Sequence, residues 1–123
     1  MASYQEHLDR AHRNERFADA LTVPGQGDWK IIACFYAALH YVEAVIVANG
    51  AGSSDHNSRM NHVRTMPALA PIRNAYQTLA NFAWQARYDP GIDYRDPAVA
   101  RHVKKLCSLL PNMRAGLGLP PPP

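Results

Sequence analysis

The chain has 123 residues, 47% of them hydrophobic and 19% charged, which excludes a disordered or low-complexity chain and fits one domain with its own core. Its formal charge of +3 permits an anionic partner without requiring one. Two cysteines, Cys34 and Cys107, are too few for a disulfide framework or a four-ligand zinc site, and both fall within apolar helical patterns. The polar opening, residues 1–16, does not resemble a secretory signal, so the expected location is the reducing cytoplasm.

In chain order, every segment that can be placed reads as helix. Ser3-Tyr4-Gln5-Glu6 fits a capping box, in which serine and glutamate each satisfy a free backbone N–H of the first turn. Tyr4, Leu8, Ala11, Ala18 and Leu21 then recur at helical spacing. Between them His7, Asp9, Arg10, His12, Arg13, Asn14, Glu15 and Arg16 are expected on a solvated face. The run Val23-Pro24-Gly25-Gln26-Gly27 ends this helix.

Asp28 is the expected cap of a second helix, which stops at Gly50. This helix is apolar on nearly all sides and should therefore be central. Residues 31–48 have the length of a membrane span, but His40 and Glu43 near the middle would be costly in hydrocarbon. The expectation is a buried core helix and no membrane. Asp55 caps a short polar helix over residues 56–65, which Pro67 interrupts. Another helix starts near Pro71, carries Ile72, Ala75, Tyr76, Leu79, Ala83 and Ala86 inward, and ends before Asp89-Pro90-Gly91. Asp96-Pro97 starts the last helix, with Val99, Val103, Leu106 and Leu110 inward and Pro111 as a stop or kink. No alternating run long enough for a strand occurs. These elements predict an all-α fold, an antiparallel four-helix bundle with one short extra helix, over residues 1–115. Residues 116–123, ending in four prolines, are expected to form a loose, polyproline-like tail.

Several polar groups are more than this fold needs. Tyr36, His40 and Glu43, at i, i+4 and i+7, share one stripe of the apolar helix. They fit either a polar pocket with a carboxylate-oriented, proton-transferring histidine, or a histidine that bridges helices by hydrogen bonds. His56 and Arg59 stand three apart at a helix start, as an anion site or as an ordinary polar face. Metal binding by His56 and His62 is rejected, because their spacing puts them on different faces. Arg87, beside Tyr88, either complements a helix C-terminus or reaches an anion or a carboxylate such as Glu43.

A further set is Arg95-Asp96, followed by His102 after six intervening residues. An arginine that neutralises a phosphate and a histidine that moves a proton suffice for RNA cleavage without a metal or other cofactor. With ten arginines and six histidines in the chain, an arginine followed by a polar residue and then a histidine at such spacing arises about 0.2 times by chance.

On these residues the chain resembles the HEPN (higher eukaryotes and prokaryotes nucleotide-binding) family. Those small helical bundles are commonly homodimeric, and many are metal-independent endoribonucleases of toxin–antitoxin and other defence systems. The resemblance implies Arg95, Asp96 and His102 as catalytic residues, paired across a dimer two-fold around one RNA phosphate, and an antitoxin protein as a partner. The chain is also similar to short bacterial HEPN-like proteins through Asp28-Trp29, residues 35–40, residues 56–59 and residues 86–89. That likeness implies instead a non-catalytic site for a nucleotide or phosphate, or a dimerisation surface. Its residues would be Tyr36, His40, Glu43, His56, Arg59, Arg87 and Tyr88.

Overall fold

The computed structural model describes residues 2–123, so the expected start of the bundle at residue 1 lies just outside it. Among the described residues every regular element is helical: α1 (Tyr4–Ala20), α2 (Gly27–Ala48), α3 (His56–Thr65), a 3-10 segment (Pro67–Ile72), α4 (Arg73–Tyr88), α5 (Pro97–Cys107) and α6 (Leu109–Gly116).

The capping box forms as expected. Ser3 Oγ accepts from the Glu6 amide at 3.1 Å, and Glu6 Oε1 accepts from the Ser3 amide at 3.0 Å. At the far end of α1 no side chain of its own last turn is basic. Lys30 of α2 supplies the cation instead, donating to the Ala18 carbonyl at 2.6 Å. His7 meets His40 at one end of the helix pair and Lys30 meets Ala18 at the other, so α1 and α2 run antiparallel.

Helix α2 is the centre, contacted by every other helix. Its alanines 33, 37, 38 and 44 are buried and let neighbouring backbones approach, while Phe35, Tyr41, Val42 and Ile46 fill the core with Tyr76, Leu79, Val103, Leu110 and Met113 from α4, α5 and α6. It is the helix long and apolar enough to cross a membrane, yet 72% of that stretch is buried inside the protein. Such burial matches the expected central core helix. The helix starts one residue before the expected cap. Gln26 is the N-cap, and Asp28 sits inside the first turn, where its carboxylate accepts from the Trp29 amide at 2.9 Å. Gly27 opens the helix in a tight spot: a Cβ there would stand 3.1 Å from the side chains of both Tyr94 and Val103. The absence of a side chain lets the helix start pack closely on α5 and the segment before it.

Asp55 caps α3 as expected, accepting from the Ser58 amide at 2.8 Å. The stretch from Pro67 is a 3-10 segment, and α4 begins at Arg73, two residues later than Pro71 suggested. The last helix breaks earlier than expected, at Ser108 instead of Pro111. The proline is the cause. It cannot donate to the carbonyl four residues back, that of Cys107, and its ring crowds that carbonyl, so α5 ends there. Pro111 then lies in the first turn of α6, where the missing N–H is harmless.

Two expectations fail on α1. His12 and Glu15 are buried, not solvated. Glu15 accepts from Tyr41 Oη at 2.8 Å and from Arg114 Nη1 at 2.8 and 2.9 Å, which ties α1 to α2 and α6. Burial, reinforced by the neighbouring carboxylate, pushes the Tyr41 hydroxyl up and keeps it a donor. His12 Nε2 donates to the Pro120 carbonyl at 2.9 Å, and Arg16 reaches the Pro123 carbonyl at 3.3 Å. The proline tail therefore lies along α1, with Leu117 and Leu119 packed on the core, rather than standing clear of it.

Candidate functional site

The stripe on α2 opens on one side of the molecule as a cleft of about 570 Å³ between α2, α3 and α4. Tyr36 and Leu39 form its floor, His56 and Arg59 one rim, and Gln77, Asn81, Trp84, Arg87 and Tyr88 the other. Five of the seven residues singled out on the sequence as binding residues line it. The polar face of α4 supplies the rest: Gln77, Asn81, Trp84 and Tyr88 follow helical spacing on the side opposite buried Leu79 and Ala83. Sequence reasoning overlooked Gln77, Asn81 and Trp84, although a tryptophan outside the inward stripe is a readable signal.

Arg87 is the focus of the cleft. Its Nη1 donates to Tyr36 Oη at 3.1 Å, and its guanidinium carbon lies 5.8 Å from the Phe35 and Tyr36 ring centres and 5.5 Å from that of Tyr88. The rings present their negative faces to the cation and hold it in place. Trp84 and Tyr88 pack at 5.3 Å, yet both remain more than half exposed, at 58% and 63%. Among the described residues Arg87 has no carboxylate partner. The contact with Glu43 considered on the sequence does not form.

Glu43 is taken by Arg59, whose Nε donates to Oε1 at 2.7 Å with both side chains largely buried. Arg59 thus neutralises a core carboxylate and offers less charge to the cleft than its position suggests. Tyr76 lies behind this pair; burial pushes its hydroxyl up to about 12, against the pull of Arg59.

His40 is not oriented by a carboxylate. Its Nδ1 faces Nδ1 of His7 at 3.1 Å with the rings stacked 5.3 Å apart, so it bridges α1 and α2, one ring donating and the other accepting. Burial first, then the neighbouring His7, Arg10 and Arg59, hold its pKa down at about 4. It is a neutral ring at physiological pH. Among the described residues no three His, Cys, Asp or Glu side chains converge as a metal site.

Arg95, Asp96 and His102 lie elsewhere. Arg95 is exposed and paired with Asp93 at 3.2 Å. Asp96 caps α5, its carboxylate accepting from the Ala98 amide at 2.7 Å. The His102 ring packs edge-on against Phe82 at 4.8 Å and borders a separate, apolar groove with Ile31 and Val99. None of the three lines the Tyr36–Arg87 cleft.

A second cleft, of about 490 Å³, adjoins the first through Tyr36 and runs between α1 and α2. Arg10, Arg13, Asn14 and Phe17 come from α1, and Trp29 and His40 from α2. No family model, curated protein or solved structure matches this chain.

Proposed function

We propose that the chain is a HEPN-like four-helix bundle, formed by α1, α2, α4 and the broken pair α5–α6 with α3 as the extra helix, and that it binds a nucleotide unit of RNA in the Tyr36–Arg87 cleft without cleaving it there. The observation that carries the reading is the state of Arg87, a cation framed by three aromatic rings and, among the described residues, with no carboxylate to neutralise it, on the wall of an open cleft. A phosphate is the complementary ligand for its free N–H groups. The exposed faces of Tyr88 and Trp84 suit a base, because every base has a face that stacks on an aromatic ring. The amides of Gln77 and Asn81, which bond to each other at 2.9 Å, can turn to donate to and accept from a base edge.

The cleavage reading draws less support. Asp96 is committed to a helix cap and Arg95 to Asp93, and a second copy of the chain would have to bring a second arginine and histidine to the same phosphate. Calorimetric titration with AMP tests the binding reading. Arg87→Ala should weaken AMP about tenfold, given that one stacked base or charged hydrogen bond is worth about 1–3 kcal/mol. Equal affinity of Arg87→Ala and the parent, or no AMP binding by the folded parent, overturns it.

A further inference from the structure

The second cleft is built from the same parts as the first. Arg10, Arg13 and Phe17 fall at i, i+3 and i+7 on α1, facing Trp29 and Tyr36, themselves seven residues apart on α2. Phe17 is 55% and Trp29 60% exposed, far more than such side chains show when they serve a core. Arg10 and Arg13, like Arg87, make no ion pair among the described residues. The chain has ten acidic residues, yet among the described residues none lines either cleft, and Glu43, farther along α2, is held by Arg59. Each cleft lies in the range of about 300–1,000 Å³ that suits one small ligand, and the two share the ring of Tyr36 as a common wall.

We infer that the two clefts are successive subsites of one groove, and that the ligand is a single-stranded oligonucleotide crossing Tyr36 from Trp84 and Tyr88 to Trp29 and Phe17. This rests on the nucleotide-binding reading of the first cleft and extends it to an oligomer. Exposed aromatic rings together with unpaired arginines in both clefts suit the bases and phosphates of such a strand. A two-fold contact of this face with itself fits poorly. It would set Arg10, Arg13 and Arg87 of one copy against the same arginines of the other, with no carboxylate between them.

The chain's two tryptophans report on one subsite each. In Trp84→Phe, where emission comes from Trp29, penta-adenylate should quench fluorescence and AMP should not. Penta-adenylate should bind the parent at least about tenfold tighter than AMP. Trp29→Ala with Arg10→Ala should remove that gain and leave AMP affinity unchanged, while Trp29→Phe, which keeps a stacking ring, should retain most of it. Both altered side chains are exposed or at the rim, and circular dichroism checks that the fold persists.

AMP binding without any gain for penta-adenylate overturns the second subsite and leaves the first standing. Failure of both ligands to bind overturns both. Displacement of penta-adenylate by poly-glutamate of equal charge, as effectively as by poly-adenylate, contradicts the inference because charge alone would then be read. So does a shift from dimer to monomer in Trp29→Ala with penta-adenylate affinity unchanged.

Discussion

The Arg87 guanidinium donates to the Tyr36 hydroxyl across 3.1 Å, joining the last turn of α4 to the middle of α2. The contact fixes the planar cation with its remaining N–H groups toward the cleft. Arg87→Lys should therefore bind AMP more weakly than the parent, although the charge is kept, because an ammonium cannot reproduce the planar fork or the stacking. Calorimetry should place it between the parent and Arg87→Ala. Thermal stability should hardly move, since the side chain is exposed.

Salt should reveal how many arginines the ligand meets. For penta-adenylate contacting Arg10, Arg13 and Arg87, the logarithm of affinity should fall against the logarithm of salt with a slope near −2, from about −0.7 per neutralised phosphate. Arg13→Ala should reduce that slope by roughly a third. Anisotropy titrations across a salt series measure both.

Stability should depend on the buried pair of Glu15 and Arg114. Arg114→Ala leaves the Glu15 carboxylate buried with only Tyr41 as a donor, and should cost about 3–5 kcal/mol in urea unfolding. Replacing both ends, Glu15→Leu with Arg114→Met, should restore much of the loss.

Acid should weaken the fold through His40. Its folded pKa of about 4 lies below the ordinary value of 6.5, so the unfolded chain binds more protons between these limits. Stability should therefore fall as pH drops from about 6.5 to about 4, and be insensitive to this ring above that window. The groups around it are His7, Arg10 and Arg59, with Glu43 already held by Arg59. His40→Gln should flatten that part of the pH profile, measured by urea unfolding at each pH.

His102→Ala should leave AMP and penta-adenylate affinity within about twofold of the parent, because the ring lies on Phe82 outside both clefts. A loss above tenfold would mean that the ligand also reaches α5.

The helices were legible because their caps and inward stripes are local. Ser3, Asp55 and Asp96 cap as their sequences suggest, and Leu79 and Ala83 face inward on spacing alone. Glu15 and His12 were not legible. Polarity assigned them to solvent, and what buries them are Arg114 and Pro120, 99 and 108 residues further along the chain. Within the site, Tyr36 and Arg87 stood out on the sequence, but the pairing of Arg87 with Glu43 did not survive. Seven residues of helix put Glu43 about 10 Å beyond Tyr36 along α2, past the reach of Arg87 and beside α3, where Arg59 closes on it. The second cleft was missed because Arg10, Arg13 and Asn14 were assigned to the solvated face of α1. Arg10 and Arg13 on α1 have meaning only once Trp29 is seen across from them.

The most direct measurement is the emission of Trp84 in Trp29→Phe during titration with AMP. The account predicts saturable quenching that Arg87→Ala shifts to at least about tenfold higher concentration. Emission that stays constant to millimolar AMP in the folded protein would contradict it.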